Sequence, residues 1–281
     1  MSSSEKIDLK DKAGEAYWST FWHDHSLPEP VNLEKKTEHN YAFRKLDELF
    51  GELFKNELTS GKKLLEIGCG NSVYLSYFAK RFGFHSEGID YSEYGCRQTR
   101  RILERDGVNG SIHHGDLFNP PAELIGRFDV VCSFGVVEHF QDTVEVISKI
   151  SAFLKPGGIM ITTIPNLTGP TGWLQRWMYK PVYDIHKVMG LRELTKASEL
   201  AGLEIISSSR FIPVSFGVTL TEKDGIKVSN LRMKRAVLKG FQLAGRMICG
   251  IDDRLIRIPA SEWLCAGMMV AARKPVTQRK S

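Results

Sequence analysis

The sequence has no membrane-length apolar run. Nowhere in its 281 residues does an apolar segment approach the ~20 residues that a helix needs to cross a bilayer. The opening residues, MSSSEKIDLKDK, are polar and charged. They lack the apolar stretch of a secretory leader, so a cytoplasmic location is expected. Cysteine is scarce and unpatterned. Cys69, Cys96, Cys132, Cys249 and Cys265 are odd in number and show no C-x-x-C spacing. That argues against a disulfide framework and a structural zinc site, and leaves small reduced core residues; no metal is expected. No internal repeat or low-complexity tract is present. Neither charge sign dominates, since the formal net charge is only +5. With 42% hydrophobic and 25% charged residues, the chain can bury one large core, or one core plus an appendage.

What is present is an alternation. A helical stretch, HNYAFRKLDELFGELFKNEL, precedes the strand KKLLEIG and the helix SVYLSYFAKRF. The strand FHSEGID, the helix SEYGCRQTRRILERD and the short strand GSIHHGD follow. Then come the strand RFDVVCSFG, the helix DTVEVISKISAFL and the strand KPGGIMITTIPN. Strands alternating with helices of this length imply βαβ units and a parallel sheet covered on both faces. After Asn166 the pattern loosens. LTGPTGWLQRWMYKPVYDIH reads as a long irregular connection, LRELTKASELAG as a helix and LEIISSSRF as a strand. A long excursion then leads to a final strand, LCAGMMVAARK.

Ligands of open parallel sheets bind beyond the carboxyl ends of the strands. LLEIGCG stands at such an end. Its glycines let the backbone approach a ligand, and the next helix presents its N-terminus. Asp90 ends the second strand, where an acid accepts hydrogen bonds from both ribose hydroxyls. A third glycine is missing: the G-x-G-x-x-G position that closes a dinucleotide fingerprint is Val73. Glu66 adds an anion before the turn, which suits a cationic ligand. It repels a pyrophosphate, because like charges in a poorly solvated cleft cost on the order of several kcal/mol. Asp116, in GDLF after the third strand, is placed to accept from an amino group such as adenine N6. The implied ligand carries adenine, ribose and a positive charge.

The ordered set LLEIGCG, GIDYS, GDLF, FDVVCSFGVVEHF and LKPGGIMITTIPN resembles the class I S-adenosylmethionine-dependent methyltransferases. The small-molecule subgroup that includes the ubiquinone-biosynthesis type is the nearest likeness, over roughly residues 40–210. The resemblance implies a Rossmann-like α/β fold: a seven-stranded, mostly parallel sheet with an antiparallel last strand and helices on both faces. An N-terminal helical extension and an insertion before the last strand are added to it. It implies that Glu66, Gly68 and Gly70 line the methionine end of S-adenosylmethionine, with Cys69 and Tyr91 also among the cofactor-binding residues. Asp90 falls to the ribose, Asp116 and Leu117 to the adenine, and Ser133 and Phe134 to the strand end facing the methyl. The organisation expected is an aromatic extension or lid over 1–38, a core over 39–211, a basic helical insertion over 212–263, and a last strand and tail over 264–281.

The chemistry expected is in-line methyl transfer to a small molecule, with oxygen as the first choice of acceptor and S-adenosylhomocysteine as product. N- or C-methylation of a lipid-linked or phosphorylated metabolite is the alternative, as is methylation of RNA. The fourth strand ends in SFGVVEH and lacks the Asn/Asp-Pro-Pro-aromatic set that grips a base amino group, so nucleic acid is not expected as a partner. His139 is the first candidate base and His186 the second. Tyr17, Trp18 and Trp22 share one helical face with Phe21, and Trp173 and Trp177 occupy the loosened segment. These aromatics are expected to border the substrate. Residues 227–246 hold six basic residues and no acid. Arg232, Arg235, Lys239 and Arg246 fall within an arc of about 60° on a helical wheel, apart from Met233, Val237, Phe241, Ala244 and Ile248. Such a helix suits a solvated face or a contact with anionic lipid or phosphate, peripheral to a membrane.

Overall fold

A computed structural model describes residues 11–220 and 228–276. A helix α1 (Glu15–His23) and a helix α2 (Glu38–Phe54) precede strand β1 (Lys63–Ile67). Helix α3 (Tyr74–Phe82), β2 (His85–Asp90), α4 (Glu93–Asp106), β3 (Gly110–His114) and β4 (Phe128–Phe134) follow. Then come α5 (Thr143–Ala152), β5 (Leu154–Pro165), α6 (Pro170–Met178), α7 (Lys180–Asp184) and α8 (Leu191–Leu200). Strand β6 (Glu204–Phe211), α9 (Leu231–Arg254) and β7 (Gly267–Arg273) end the series. Short polar caps set several boundaries. Thr37 caps α2, Ser92 caps α4 and Asp142 caps α5, each side chain accepting from a backbone amide three residues on. Gly83 and Gly107 end α3 and α4 in the left-handed conformation.

The seven strands lie in the order β3-β2-β1-β4-β5-β7-β6. All pairs are parallel except those of β7, which runs antiparallel to both β5 and β6. The chain moves outward from β1 to β3 and then restarts at β4 on the other side of β1. The order therefore reverses between β1 and β4, which opens a crevice above their carboxyl ends. Two apolar layers clamp the sheet. On one face Val146, Ile147 and Ile150 of α5 and Leu194 of α8 cover Leu65, Val131 and Met160. On the other, Phe50 of α2 and Leu75 and Phe78 of α3 cover Leu64, Val130 and Ile161. Residues adjacent along each strand thus belong to opposite layers, as strand geometry requires.

The segment expected to be an irregular connection after Asn166 is instead helical, as α6 and α7. Its prolines sit in the first turn of each helix, where the missing N–H is not needed, so they start the helices rather than break them. The basic helix is also longer than expected: α9 continues eight residues beyond Arg246, and residue 227 lies outside the described residues. Its extension is held by two acids. Asp252 accepts from Tyr41 Oη at 2.7 Å and from the Ile258 amide at 2.7 Å, and pairs with Lys45 Nζ at 2.6 Å. Asp253 receives Arg44 Nε at 3.1 Å and Nη2 at 2.7 Å. Met233, Phe241 and Ala244, expected on the apolar arc, are exposed.

Burial alone would raise the Asp252 carboxyl. The Lys45 ammonium, the Ile258 amide and the Tyr41 hydroxyl nevertheless hold it below the ordinary carboxylate range. Its stabilisation is therefore complete above the unfolded value near ~3.9 and is lost as pH falls through the lower folded value. Asp252→Ala leaves Lys45 and Tyr41 without their acceptor. It is expected to cost about 2–4 kcal/mol in urea unfolding at pH 7, with the difference from the unaltered protein shrinking below about pH 4.

Candidate functional site

The turn after β1 is shaped by what it must approach. Gly68 takes φ +72°, and its amide and that of Cys69 both donate to Ile89 O, at 2.9 and 3.3 Å. A Cβ on Gly68 would lie 2.6 Å from Val136 Cγ2, so only glycine passes between β1 and the loop after β4. Gly70 N donates to Asp90 Oδ2 at 2.8 Å, and Ser92 N donates to Asp90 Oδ1 at 2.7 Å. One carboxylate thereby fixes both the glycine turn and the start of α4. Glu66 is buried on β1, and Ser72 Oγ lies 2.8 Å from each of its carboxylate oxygens.

Burial pushes the Glu66 carboxyl up to about 8, against the lowering hydrogen bond from Ser72 and with a further push from Asp90. Burial also pushes Asp90 up to about 6, against its two amide hydrogen bonds. These are two acids in poor solvent, side by side at the ends of β1 and β2. A cation placed between them relieves both; a pyrophosphate would worsen both.

A cavity of about 560 Å³ opens above them, lined by Glu66, Gly68, Gly70, Asp90, Tyr91, Asp116, Leu117 and Phe134 among others. Two residues expected here are elsewhere. Cys69 turns inward, its Sγ against the Cα side of Gly88. Ser133 Oγ is 3.0 Å from Thr162 Oγ1 within the sheet; alternation along β4 sends Phe134, not Ser133, to the cavity wall. Asp116 is exposed, and its Oδ1 accepts from the Phe118 amide at 2.9 Å.

Helix α1 closes one side. Trp18 and Trp22 line the cavity, whereas Tyr17 does not. The Trp22 indole fits against two glycines. A Cβ on Gly70 would meet its Nε1 at 2.5 Å, and one on Gly95 would meet its Cδ1 at 2.9 Å. Gln98 Nε2 donates to both Trp22 O and His25 O at 2.9 Å. Ser19 Oγ is 3.0 Å from Ser92 Oγ. Lys12 N donates to His139 O at 2.9 Å, and Tyr91 Oη donates to Asp11 Oδ2 at 2.9 Å. Gly95 was not singled out from sequence. Its signal is a glycine inside an otherwise strong helix, a position that costs about 1 kcal/mol unless something else needs the space. Trp173 and Trp177 stand outside the cavity. They stack on α6 at 6.0 Å between ring centroids, and both side chains are exposed.

His139 lies in a short 3-10 turn, Val137–His139, just after β4, and lines the cavity. Its Nδ1 donates to Ile185 O at 3.0 Å, which leaves Nε2 as the basic atom. Trp18 meets it edge-on at 5.0 Å. His186 sits behind, 4.6 Å ring to ring, with its Nδ1 donating to Val182 O at 2.6 Å. Glu138 is buried, and its Oε2 has no hydrogen-bond partner. Ligand atoms of Glu138, His139 and His186 lie within 4.8 Å of one another. Burial drives these groups toward their neutral forms. It pushes Glu138 up to about 8, and it pushes His139 down to about 4, helped by His186. His186 is lowered as well, first by burial. Such a group can accept a proton at His139 Nε2, or it can ligate a divalent cation.

A model of the methyltransferase domain family matches residues 37–208. The ubiquinone biosynthesis O-methyltransferase of Cereibacter sphaeroides is 28% identical over 240 residues, covering 80% of this chain and 95% of that protein. Among solved structures, geranyl diphosphate C-methyltransferase from Streptomyces coelicolor, in complex with Mg2+, geranyl diphosphate and S-adenosylhomocysteine, superposes with a TM-score of 0.55 at 17% identity, over 91% of this chain and 96% of that one. Phosphoethanolamine N-methyltransferase 2 of Haemonchus contortus superposes with a TM-score of 0.56 at 16% identity, over 93% of this chain and 57% of that one.

The close fit of Trp22 on Gly70 yields a test that needs no ligand. Gly70→Ala puts a methyl where the indole lies, so α1 must lift. Limited proteolysis is expected to cut the variant between residues 11 and 25 several-fold faster than the unaltered chain. Equal rates would show that α1 is not held by this contact.

Proposed function

We propose, on the premise that this chain belongs to the methyltransferase domain family and takes its methyl group from S-adenosylmethionine, that it methylates a hydroxyl of a small acceptor. The observation that carries this reading is His139: a neutral ring on the cavity wall, with Nδ1 fixed and Nε2 free. In this reading Glu66, Gly68 and Gly70 hold the methionine end, Asp90 and Tyr91 the ribose, and Asp116 and Leu117 the adenine. When bound, S-adenosylmethionine supplies an already activated sulfonium methyl. The chain's own work is then to orient, to exclude water and to move one proton. Trp18 and Trp22 cover the cavity as a lid. Phe134 and Val136 form the wall at the end of β4. His139 Nε2 takes the acceptor's hydroxyl proton as the oxygen–carbon bond forms and the carbon–sulfur bond breaks, leaving S-adenosylhomocysteine.

The name of the Cereibacter relative is consistent with an oxygen acceptor. The cluster of Glu138, His139 and His186 favours one second reading, in which the same His139 ligates a divalent cation that orients the acceptor oxygen.

His139→Ala is expected to lower turnover by roughly 10²–10⁴-fold, with affinity for S-adenosylmethionine within a few-fold of the original. Because burial pushes the ring down to about 4, turnover at saturating S-adenosylmethionine should show no histidine limb between about pH 6 and 8. Full turnover after EDTA treatment supports the proton acceptor; loss restored by added cation supports the ligand role. A His139→Ala variant that keeps most of its turnover removes both.

A further inference from the structure

One face of α9 packs on the protein, although Phe241 on it stays 40% exposed. Val237 and Leu238 pack with Leu174 and Met178 of α6. The Phe241 ring lies 5.0 Å from that of Phe216, and Cys249 Sγ lies 3.5 Å from Val214 O. Asp252 and Asp253, the only acids of the helix, are held by α2 at its end.

The outer face is different. Met233 is 50% exposed, Leu243 60%, Met247 64% and Ile251 38%. At 100° per residue these four fall in an arc of about 80°. Arg232, Arg235, Lys239 and Arg246, all exposed, fill an adjoining arc of about 60°. No Asp or Glu occurs between residues 225 and 251. An apolar stripe therefore lies open to solvent along several turns, edged on one side by four cations. Single exposed apolar side chains are ordinary; an aligned set beside an unbroken basic edge is not. The exposed Trp173–Trp177 pair on α6 borders the same helix, since Lys234 Nζ sits 5.6 Å from the Trp177 ring.

We infer that α9 is a docking surface for an anionic lipid bilayer. The helix lies flat on it, with Leu243, Met247 and Ile251 at the headgroup–acyl boundary and the four cations among the lipid phosphates. Charge decides the choice of partner. A free phosphate or a nucleic acid would use the cations and leave the apolar stripe in water. A second copy meeting this face about a twofold axis would bring basic stripes toward one another. No helix among the described residues is long and apolar enough to cross a membrane, so the contact is lateral. It is independent of which acceptor is methylated.

The test is sedimentation of the full chain with vesicles of phosphatidylcholine alone and of phosphatidylcholine with roughly a third phosphatidylglycerol. Binding to the anionic vesicles only is expected. The triple change R232Q/R235Q/K239Q should weaken it on the order of 10²-fold, and L243S/M247S/I251S by at least about tenfold. Neither should move the thermal midpoint much, because the altered groups are exposed. No binding to anionic vesicles at low salt overturns the inference. So does binding that the apolar triple change leaves intact, which would be charge adsorption alone. A dimer in size exclusion that the apolar change dissociates, with no vesicle binding, would assign the face to self-association.

Discussion

The site depends on two carboxylates buried side by side. Glu66 and Asp90 end adjacent parallel strands above the sheet, where solvent is scarce and like charges oppose each other. Such a pair persists only if hydrogen-bond donors stabilise it, the backbone amides of Gly70 and Ser92 at Asp90 and the Ser72 hydroxyl at Glu66. These bonds in turn dictate the local backbone: the turn must bring Gly70 close to Asp90 and Trp22, and Gly68 at positive φ past Val136. Both carboxyls line the cavity, and Glu66, pushed up to about 8, holds a proton that a bound cation would displace. A cationic nucleoside suits that arrangement better than any other ligand of this fold class, which is why a methyl donor and not a dinucleotide belongs there.

The second constraint is dryness at the other wall. His139 and Glu138 are buried by the segment before α1 and by α7 with the residues after it; the carbonyls of Ile185 and Val182 orient the His139 and His186 rings. Burial of an imidazole favours the neutral ring, which leaves Nε2 unprotonated at physiological pH but makes it a weaker base than a solvated imidazole. The same burial ties the lid to the site. Lys12 and Asp11 contact His139 and Phe140 directly, so movement of the N-terminal segment also exposes the base.

Much of this was legible from the sequence. Period and turn residues located each strand, and the motif order fixed Glu66, Gly68, Gly70, Asp90, Tyr91, Asp116, Leu117 and Phe134 at one cavity. The errors have separate physical causes. Ser133 and Cys69 were placed by motif proximity, but strand alternation and the tight turn send them into the sheet. Trp173 and Trp177 were placed at the lip because their segment read as a loop; two prolines at helix starts made it helical and turned the rings outward. Gly95 escaped because a lone helical glycine carries no partner in its sequence, and its partner, Trp22, lies 73 positions away. On α9 the basic arc was readable. The exposure of Leu243, Met247 and Ile251 was not, because which side of a helix meets the core depends on the position of α6 and α2.

The account rests on Glu66 and Asp90 meeting a positive charge, and calorimetry of S-adenosylmethionine binding in buffers of different ionisation enthalpy tests this most directly. With Glu66 pushed up to about 8 before binding, a cation beside it must drive its proton off. Close to one proton should be released at pH 7, affinity should rise with pH up to about 8, and Glu66→Gln should abolish the release. Binding with no proton released, and with the same affinity in Glu66→Gln, would contradict the account.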